Sequence, residues 1–240
     1  MSSLNEFSLL SKSENFIVRK LCNLDEFSID VGAARGDFAN QMSLYSNFVL
    51  AIEPNPIKIK QLIASRKNIQ LFENAASFSH GKNVVLRVVT ATPANSTIEP
   101  LNTLEGFAGI EYRNVETIRI DNICNNPVSF MKIDCEGHDF DVLLGSEDLI
   151  LKSSPSILIE LRDKHNPGYL VKTFMYLLEK DYIPFIVTED DLIEISFENN
   201  LNKILVEIII DQESEKNKSQ DNFLFVKRID HKTLVKAFKK

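Results

Sequence analysis

Four acidic residues each lie at or next to the end of an apolar run in this chain. Asp30 stands next to last in FSIDV and second in the stretch IDVGAARGDF, in which Gly32 and Gly36 follow. Glu53 stands at the end of FVLAIEP. Asp134 ends VSFMKID, with Cys135, Glu136, Gly137 and His138 directly after it. Glu160 ends SILIE. The chain has only 8 glycines in 240 residues, so two of them four apart mark a loop that needs them. Glycine tolerates the left-handed backbone and lets main chain approach a ligand closely. A following helix would offer free N–H groups to a negative group. A carboxylate one strand later, as at Glu53, suits the two hydroxyls of a ribose. These features together point to a nucleoside-bearing cofactor. The spacing is not the G-x-G-x-x-G of a dinucleotide loop. An acid at Asp30 would repel a pyrophosphate and suits the cationic amino-acid end of S-adenosylmethionine.

The elements that would position these acids are legible in the hydropathy pattern. Residues 3–20 form a weakly amphipathic lead-in helix. Strands are expected at 27–31, 48–54 and 69–77, with helices at 37–46 and 57–66, Pro56 sitting in the first turn of the latter. Further strands follow at 83–91, 115–121, 128–134, 156–161 and 182–187. Helices are expected at 139–152, 169–180 and 231–239, and residues 92–112 read as loop. The alternation of strand and helix predicts an α/β fold with a parallel sheet and right-handed crossovers. Residues 188–221 read as an insertion with strand at 192–197 and 204–210, before a last strand at 222–228. The expected organisation is a lead-in over 1–26, one catalytic domain over 27–228 and a terminal helix over 229–240.

Composition narrows the class. A formal net charge of -7 argues against a nucleic-acid binder, which carries a basic field. The 3 cysteines, Cys22, Cys124 and Cys135, lack metal-ligand spacing and cannot all pair, so reduced thiols in the cytoplasm are expected. The N-terminus lacks the basic and apolar segments of a signal peptide. No apolar run reaches the roughly 18 residues of a membrane span.

The stretches DVGAARGDF, AIEPNP, ENAAS, VETIRIDN and FMKIDCEGHDFDVLLGSEDLI, followed by PSILIE, resemble the FkbM family of S-adenosylmethionine-dependent methyltransferases. The resemblance runs from about residue 27 to 187 and resumes at NFLFVKR; the block Lys132–Gly137 is its most specific part. It implies a class I, Rossmann-like methyltransferase fold, with a seven-stranded, mainly parallel sheet and an antiparallel terminal hairpin. It implies O-methylation of a sugar, glycan or natural-product hydroxyl. By position, Asp30, Gly32, Ala33 and Gly36 would hold the methionine end of the cofactor. Glu53, with Pro54 beside it, would hold the ribose, and Asn74 and Ala75 would border the adenine. Ala34 stands where the family often has Asn, and Asp139 where it often has Glu.

Methyl transfer from a sulfonium needs an aligned acceptor oxygen and somewhere for its proton to go. Asp134 is the first expectation for that base and His138 the second. Glu160 shares the row of strand ends with Asp134, and either a divalent cation bridging the two or an ion pair of Glu160 with Arg162 or Lys164 would fit. Lys132, two residues before Asp134, points to the same face of its strand and can pair with a carboxylate. Ser96, Thr97 and the loop around Phe107, Ala108 and Tyr112 would cover a small-molecule or glycan acceptor. Three other readings stay open: a methyltransferase for protein or nucleic acid, an NAD-binding oxidoreductase, and a cofactor-binding module without catalysis.

Overall fold

The computed structural model describes residues 10–55, 66–196, 201–213, 221–228 and 231–238. The expected helix at 57–66 lies almost wholly outside these residues, as does the start of the lead-in segment.

The chain opens with α1 (Lys12–Leu21). Its start is fixed by a capping box: Ser11 Oγ accepts from the Glu14 N–H, and the Glu14 carboxylate accepts from the Ser11 N–H. Then come β1 (Phe27–Val31), α2 (Asp37–Met42), β2 (Phe48–Ile52) and β3 (Ile69–Phe72). A short β4 (Ala75–Ala76) leaves this sheet and joins β5 (Asn83–Val89) and β6 (Ile110–Ile118) in a separate three-stranded one. The expected single strand at 69–77 is therefore two, divided at Glu73 and Asn74. The expected strand at 115–121 begins earlier, taking in the end of the expected loop.

The main sheet continues with β7 (Val128–Ile133), and the chain then forms α3 (Asp139–Leu144) and α4 (Glu147–Ser153). One continuous helix was expected here. The two helices are divided at Gly145 and Ser146, where the chain packs against the end of β4: a Cβ at Gly145 would sit 2.3 Å from the Ser77 carbonyl oxygen, so only glycine fits at the junction. Next are β8 (Ser156–Glu160), α5 (Tyr169–Glu179), β9 (Tyr182–Val187) and β10 (Leu192–Glu194). After α6 (Leu201–Glu213) the chain ends with β11 (Asn222–Lys227) and α7 (His231–Phe238).

The eight main strands lie in the order β10-β9-β11-β8-β7-β1-β2-β3. Pairs β3–β2, β2–β1, β1–β7 and β7–β8 are parallel. Strand β11 runs antiparallel between β8 and β9, and β10 adds an antiparallel edge beyond the seven strands expected. The order reverses at β1, which has β2 on one side and β7 on the other. That is the switch point beyond which open α/β sheets bind ligands.

Two apolar cores flank the sheet. One face carries Ile29, Val31, Met131 and Ile133 against α3, α4 and α5; Phe174 of α5 meets Phe223 and Phe225 edge-on at 5.2 and 5.1 Å. The other face carries Val49, Ala51, Phe130 and Leu158 against α1 and α2. The expected strand at 204–210 is instead part of α6. Its run ILVEIII is rich in β-branched residues, which suit strands. Leu205 and Ile208, three apart, are buried, while Val206 and Ile210 face outward, a helical spacing. Gln212 then ties α6 to the end of β8 by donating to the Leu161 carbonyl at 2.7 Å. Tertiary packing thus overrides strand propensity in this segment.

No helix among the described residues is long and apolar enough to cross a membrane. Cys22, Cys124 and Cys135 are all free thiols.

Candidate active site

The carboxyl ends of β1 and β7 lie against each other, and Gly32 is the point of closest approach. A Cβ there would fall 1.8 Å from the Asp134 carbonyl oxygen, and its φ is +71°. Glycine is required at 32 because two strand ends meet, which is a different reason from close approach of a ligand. Gly36, at φ +86°, turns the chain into α2.

Asp30 is fully buried. Its Oδ2 accepts from the Ala39 N–H at 2.8 Å, so the carboxylate caps α2 from the neighbouring strand. The negative group expected at this helix start is thus the chain's own. Asp30 Oδ1 has no partner. Burial raises the Asp30 pKa to about 6, against the opposing pull of Lys132. Glu53 accepts twice from backbone: Oε2 from the Ala34 N–H at 2.8 Å and Oε1 from the Asn55 N–H at 2.7 Å. Burial still moves its pKa upward. Each carboxylate oxygen has a second lone pair, so Glu53 can still accept from a ligand.

Lys132 stands beside Asp30 in the β1–β7 register. Its ammonium donates to Asp134 Oδ2 at 3.0 Å and to the Gly32 carbonyl at 3.3 Å, and it lies over the Phe38 ring. Burial alone would weaken the ammonium; Asp134 and Asp30 outweigh it and hold the pKa above its ordinary value. Arg162 pairs with Glu160 at 2.8 Å and with Asp221 at 2.8 Å. Burial, then Asp134, nevertheless drive the Glu160 pKa well upward.

The turn after Asp134 is held by Asp139, whose carboxylate accepts from the Cys135 N–H at 2.7 Å and the Gly137 N–H at 3.1 Å. Within it Glu136 takes φ +50°, unusual for a residue with a side chain. Its carbonyl accepts from Thr97 Oγ1 and Asn102 Nδ2, each at 2.9 Å. Its carboxylate faces His165 Nδ1 at 3.3 Å and the Asn95 amide at 3.4 Å. Burial, with Asp134 next, lifts the Glu136 pKa to about 8. His165 is pushed down to about 4 by burial and by Arg162, so its ring is neutral at pH 7. His138 is held at both ring nitrogens, by Glu99 Oε2 at 3.2 Å and Ser77 Oγ at 3.1 Å.

These groups line a two-lobed crevice. The larger lobe, about 590 Å³, includes Asp30, Ala33, Phe38 and Lys132. The smaller, about 230 Å³, includes Pro54, Ala75, Glu136, His138, Glu160 and Arg162. Gly32, Glu53, Asp134 and the short turn Pro93–Asn95 border both. The combined size suits a cofactor-sized ligand.

The fold thus brings together Asp30, Gly32, Ala33, Glu53, Pro54, Ala75, Asp134, His138 and Glu160. Asn74 is not among the lining residues; its amide donates to the Glu116 carbonyl at 3.2 Å. Gly36 shapes the turn from behind. Asp134 and Glu160 each already hold a cationic side chain, so a metal would have to displace Lys132 or Arg162. The metal-type donor cluster found among the described residues is a different one, Glu99, His138 and Asp141. Sequence reasoning did not give roles to Glu136, Glu99, His165 or Asn95, and named Arg162 only as one of two alternative partners of Glu160. Only Glu136 carried a local signal, its place in the KIDCEG block. The cover over the crevice is Pro93–Asn95 with Ser96 and Thr97, whereas Phe107 and Tyr112 are exposed away from it.

An open, mainly parallel sheet with an antiparallel strand set between β8 and β9, and a crevice at its switch point, defines the class I, Rossmann-like methyltransferase fold. The chain belongs to the FkbM methyltransferase family: the model described as "Methyltransferase FkbM domain" matches residues 30–184. No curated protein matches the sequence. Among solved structures, the chain is similar to a methyltransferase FkbM from Methylobacillus flagellatus KT, with 20% identity and a TM-score of 0.48. That alignment covers 72% of this chain and 43% of the other, so the chain spans less than half of that relative. An rRNA methylase from Streptococcus thermophilus aligns over 93% of this chain and 96% of its own, at 11% identity and TM-score 0.47. A Streptococcus mutans protein in complex with SAH aligns over 89% and 93%, at 11% identity and TM-score 0.46.

Proposed function

We propose that this chain is an S-adenosylmethionine-dependent O-methyltransferase acting on a hydroxyl of a sugar, glycan or natural product. One observation carries the reading toward this cofactor: a fully buried carboxylate, Asp30, borders the larger lobe with one oxygen unpartnered. An unsatisfied buried oxygen is costly, and a cationic group in the lobe would relieve it.

When bound, the cofactor supplies an activated methyl group. The chain's residues do the rest. Asp30, with the turn through Gly32, Ala33 and Gly36, would face the methionine end. Glu53 and Pro54 would hold the ribose, the Glu53 carboxylate being already fixed by two backbone donors. Ala75 would border the adenine, and Asn74 would shape that edge from outside the cavity. The Pro93–Asn95 turn borders both lobes and would shield a bound cofactor from part of the solvent, which would strengthen the polar contacts beneath it.

Asp134 borders both lobes, so it stands where donor and acceptor would meet. Asp134 Oδ2 is engaged by the Lys132 ammonium at 3.0 Å. Its proposed role is to orient the acceptor, and Glu160, clamped by Arg162, shares that role. His138 supports the wall of the smaller lobe, since both its nitrogens are engaged. The net charge of -7 favours a small or glycan acceptor over nucleic acid.

The test is calorimetry with S-adenosylhomocysteine and with NAD, followed by transfer of labelled methyl into glycan and lipid extracts. The expected result is saturable binding of the adenosyl ligand and incorporation into a hydroxyl-bearing fraction. Binding of NAD with no response to S-adenosylhomocysteine would sink the reading; binding without transfer to any fraction would favour the non-catalytic module.

A further inference from the structure

We propose that Glu136, buttressed by His165 and Asn95, is the group that takes the proton from the acceptor hydroxyl. The inference rests on the methyltransferase reading above. Each other acidic or basic group on the wall of the smaller lobe is already engaged. Asp134 is paired with Lys132, Glu160 with Arg162, and His138 with Glu99 and Ser77. Glu53, which also borders the lobe, has both oxygens fixed by the Ala34 and Asn55 N–H groups, whereas Glu136 is held by two neutral side chains, the His165 imidazole and the Asn95 amide.

The backbone shows what it takes to put this side chain there. A non-glycine residue in the left-handed region is strained, because its Cβ crowds the following carbonyl. Here it is held by two side-chain donors on its carbonyl, Thr97 from the segment that borders the crevice and Asn102 just beyond it. Cover and base are therefore one assembly.

The surroundings also set its proton affinity. Burial acts first, then the negative charges of Asp134 and Asp139; Arg162 and Lys132 act in the opposite sense, and Glu160 lies close enough to feel it. The outcome, about 8, lies near the range in which a general base works best at neutral pH. In the step itself, the acceptor oxygen bonds the methyl carbon as its proton passes to the Glu136 carboxylate. The carbon–sulfur bond breaks, its electron pair stays on sulfur, and the proton later leaves Glu136 for solvent.

The experiment compares the full chain with Glu136→Gln and Glu136→Asn. The second variant guards against a folding artefact, because asparagine accepts the left-handed backbone more readily than most residues. Both are expected to bind S-adenosylhomocysteine within about threefold of wild type and to lose about 100-fold in labelled methyl transfer. Transfer by both variants within about threefold of wild type overturns the proposal while leaving the methyltransferase reading intact. Failure of the wild type to bind S-adenosylhomocysteine overturns both. A second arm needs no acceptor. In carbon-13 NMR of carboxyl-labelled glutamate, the resonance absent from Glu136→Gln must titrate well above the ordinary carboxylate range; titration within that range also overturns the proposal.

Discussion

The two sides of the crevice use carboxylates in different ways. On the β1–β2 side, Asp30 and Glu53 accept from backbone N–H groups, three hydrogen bonds in all from Ala39, Ala34 and Asn55. Those bonds fix the shape of the loops. On the β7–β8 side, Asp134 and Glu160 are neutralised by long side chains, Lys132 and Arg162. Here the protein holds charge in place, and one carboxylate, Glu136, lies outside that pairing. On the reading proposed above, the first side would bind the cofactor and the second would manage the acceptor's proton beside stored negative charge. Lys132 connects them, since it neighbours Asp30 in register and pairs with Asp134.

The largest expected effect breaks both sides together. Gly32→Ala drives a Cβ into the Asp134 carbonyl and demands a left-handed alanine. It should cost about 4 kcal/mol in urea unfolding and abolish S-adenosylhomocysteine binding. A loss under about 0.5 kcal/mol, the range of a neutral surface change, would show that the two strand ends are not so closely packed.

Removing the connecting charge comes next. Lys132→Met leaves Asp134 and Asp30 without their cation and should destabilise by about 3 kcal/mol at pH 8. The loss should shrink on acidification through about pH 6, because protonating Asp30 removes part of the uncompensated charge. Equal destabilisation at pH 5 and pH 8 would mean that Lys132 acts through packing alone.

Asp30→Asn probes the binding side by itself. The amide oxygen can still cap α2, so stability should change little, while S-adenosylhomocysteine binding should weaken about tenfold. Its pH signature has a definite sign. The folded-state pKa, about 6, lies above the ordinary 3.8, so folded protein binds the proton more tightly than unfolded. The associated stability is complete below about pH 4 and is lost as pH rises through 6. Thermal unfolding at stepped pH should show this decline in wild type reduced in the variant; an unchanged slope assigns it to other groups, such as Asp139.

The smallest effect concerns the ribose carboxylate. Glu53→Gln keeps one acceptor oxygen for two backbone N–H groups, so about 1 kcal/mol of stability should go, with a modest loss of cofactor affinity. Calorimetry and unfolding on the same preparation separate the two. A variant that loses affinity without stability would place Glu53 on the ligand rather than on its own loop.

How much was legible beforehand follows the same division. Strand ends at Asp30, Glu53, Asp134 and Glu160 could be read because apolar runs and their stops are local. The Lys132–Asp134 pair was legible because two residues on one strand share a face. The ion pair of Glu160 with Arg162 was one of two alternatives that the sequence left open. The His138 contacts with Glu99 and Ser77 span 39 and 61 residues, and no local pattern announces them. The segment at 204–210 was misread because its branched side chains fit a strand, while its burial at Leu205 and Ile208 is set by what it packs against.

The sequence by itself determined the alternation of strands and helices from β1 to β9 in outline, the acids at the strand ends, and the KIDCEG block that marks the family. These follow from hydropathy and chain connectivity, which are written along the chain. Tertiary structure decided what each acid touches. It made Gly32 a contact between strand ends, turned Asp30 into a cap with one oxygen to spare, and paired Asp134 and Glu160 with cations. It also set Glu136 among neutral partners. The physical reason is that a carboxylate's proton affinity depends on burial and on charges a few ångströms away, and only the folded chain brings those neighbours together.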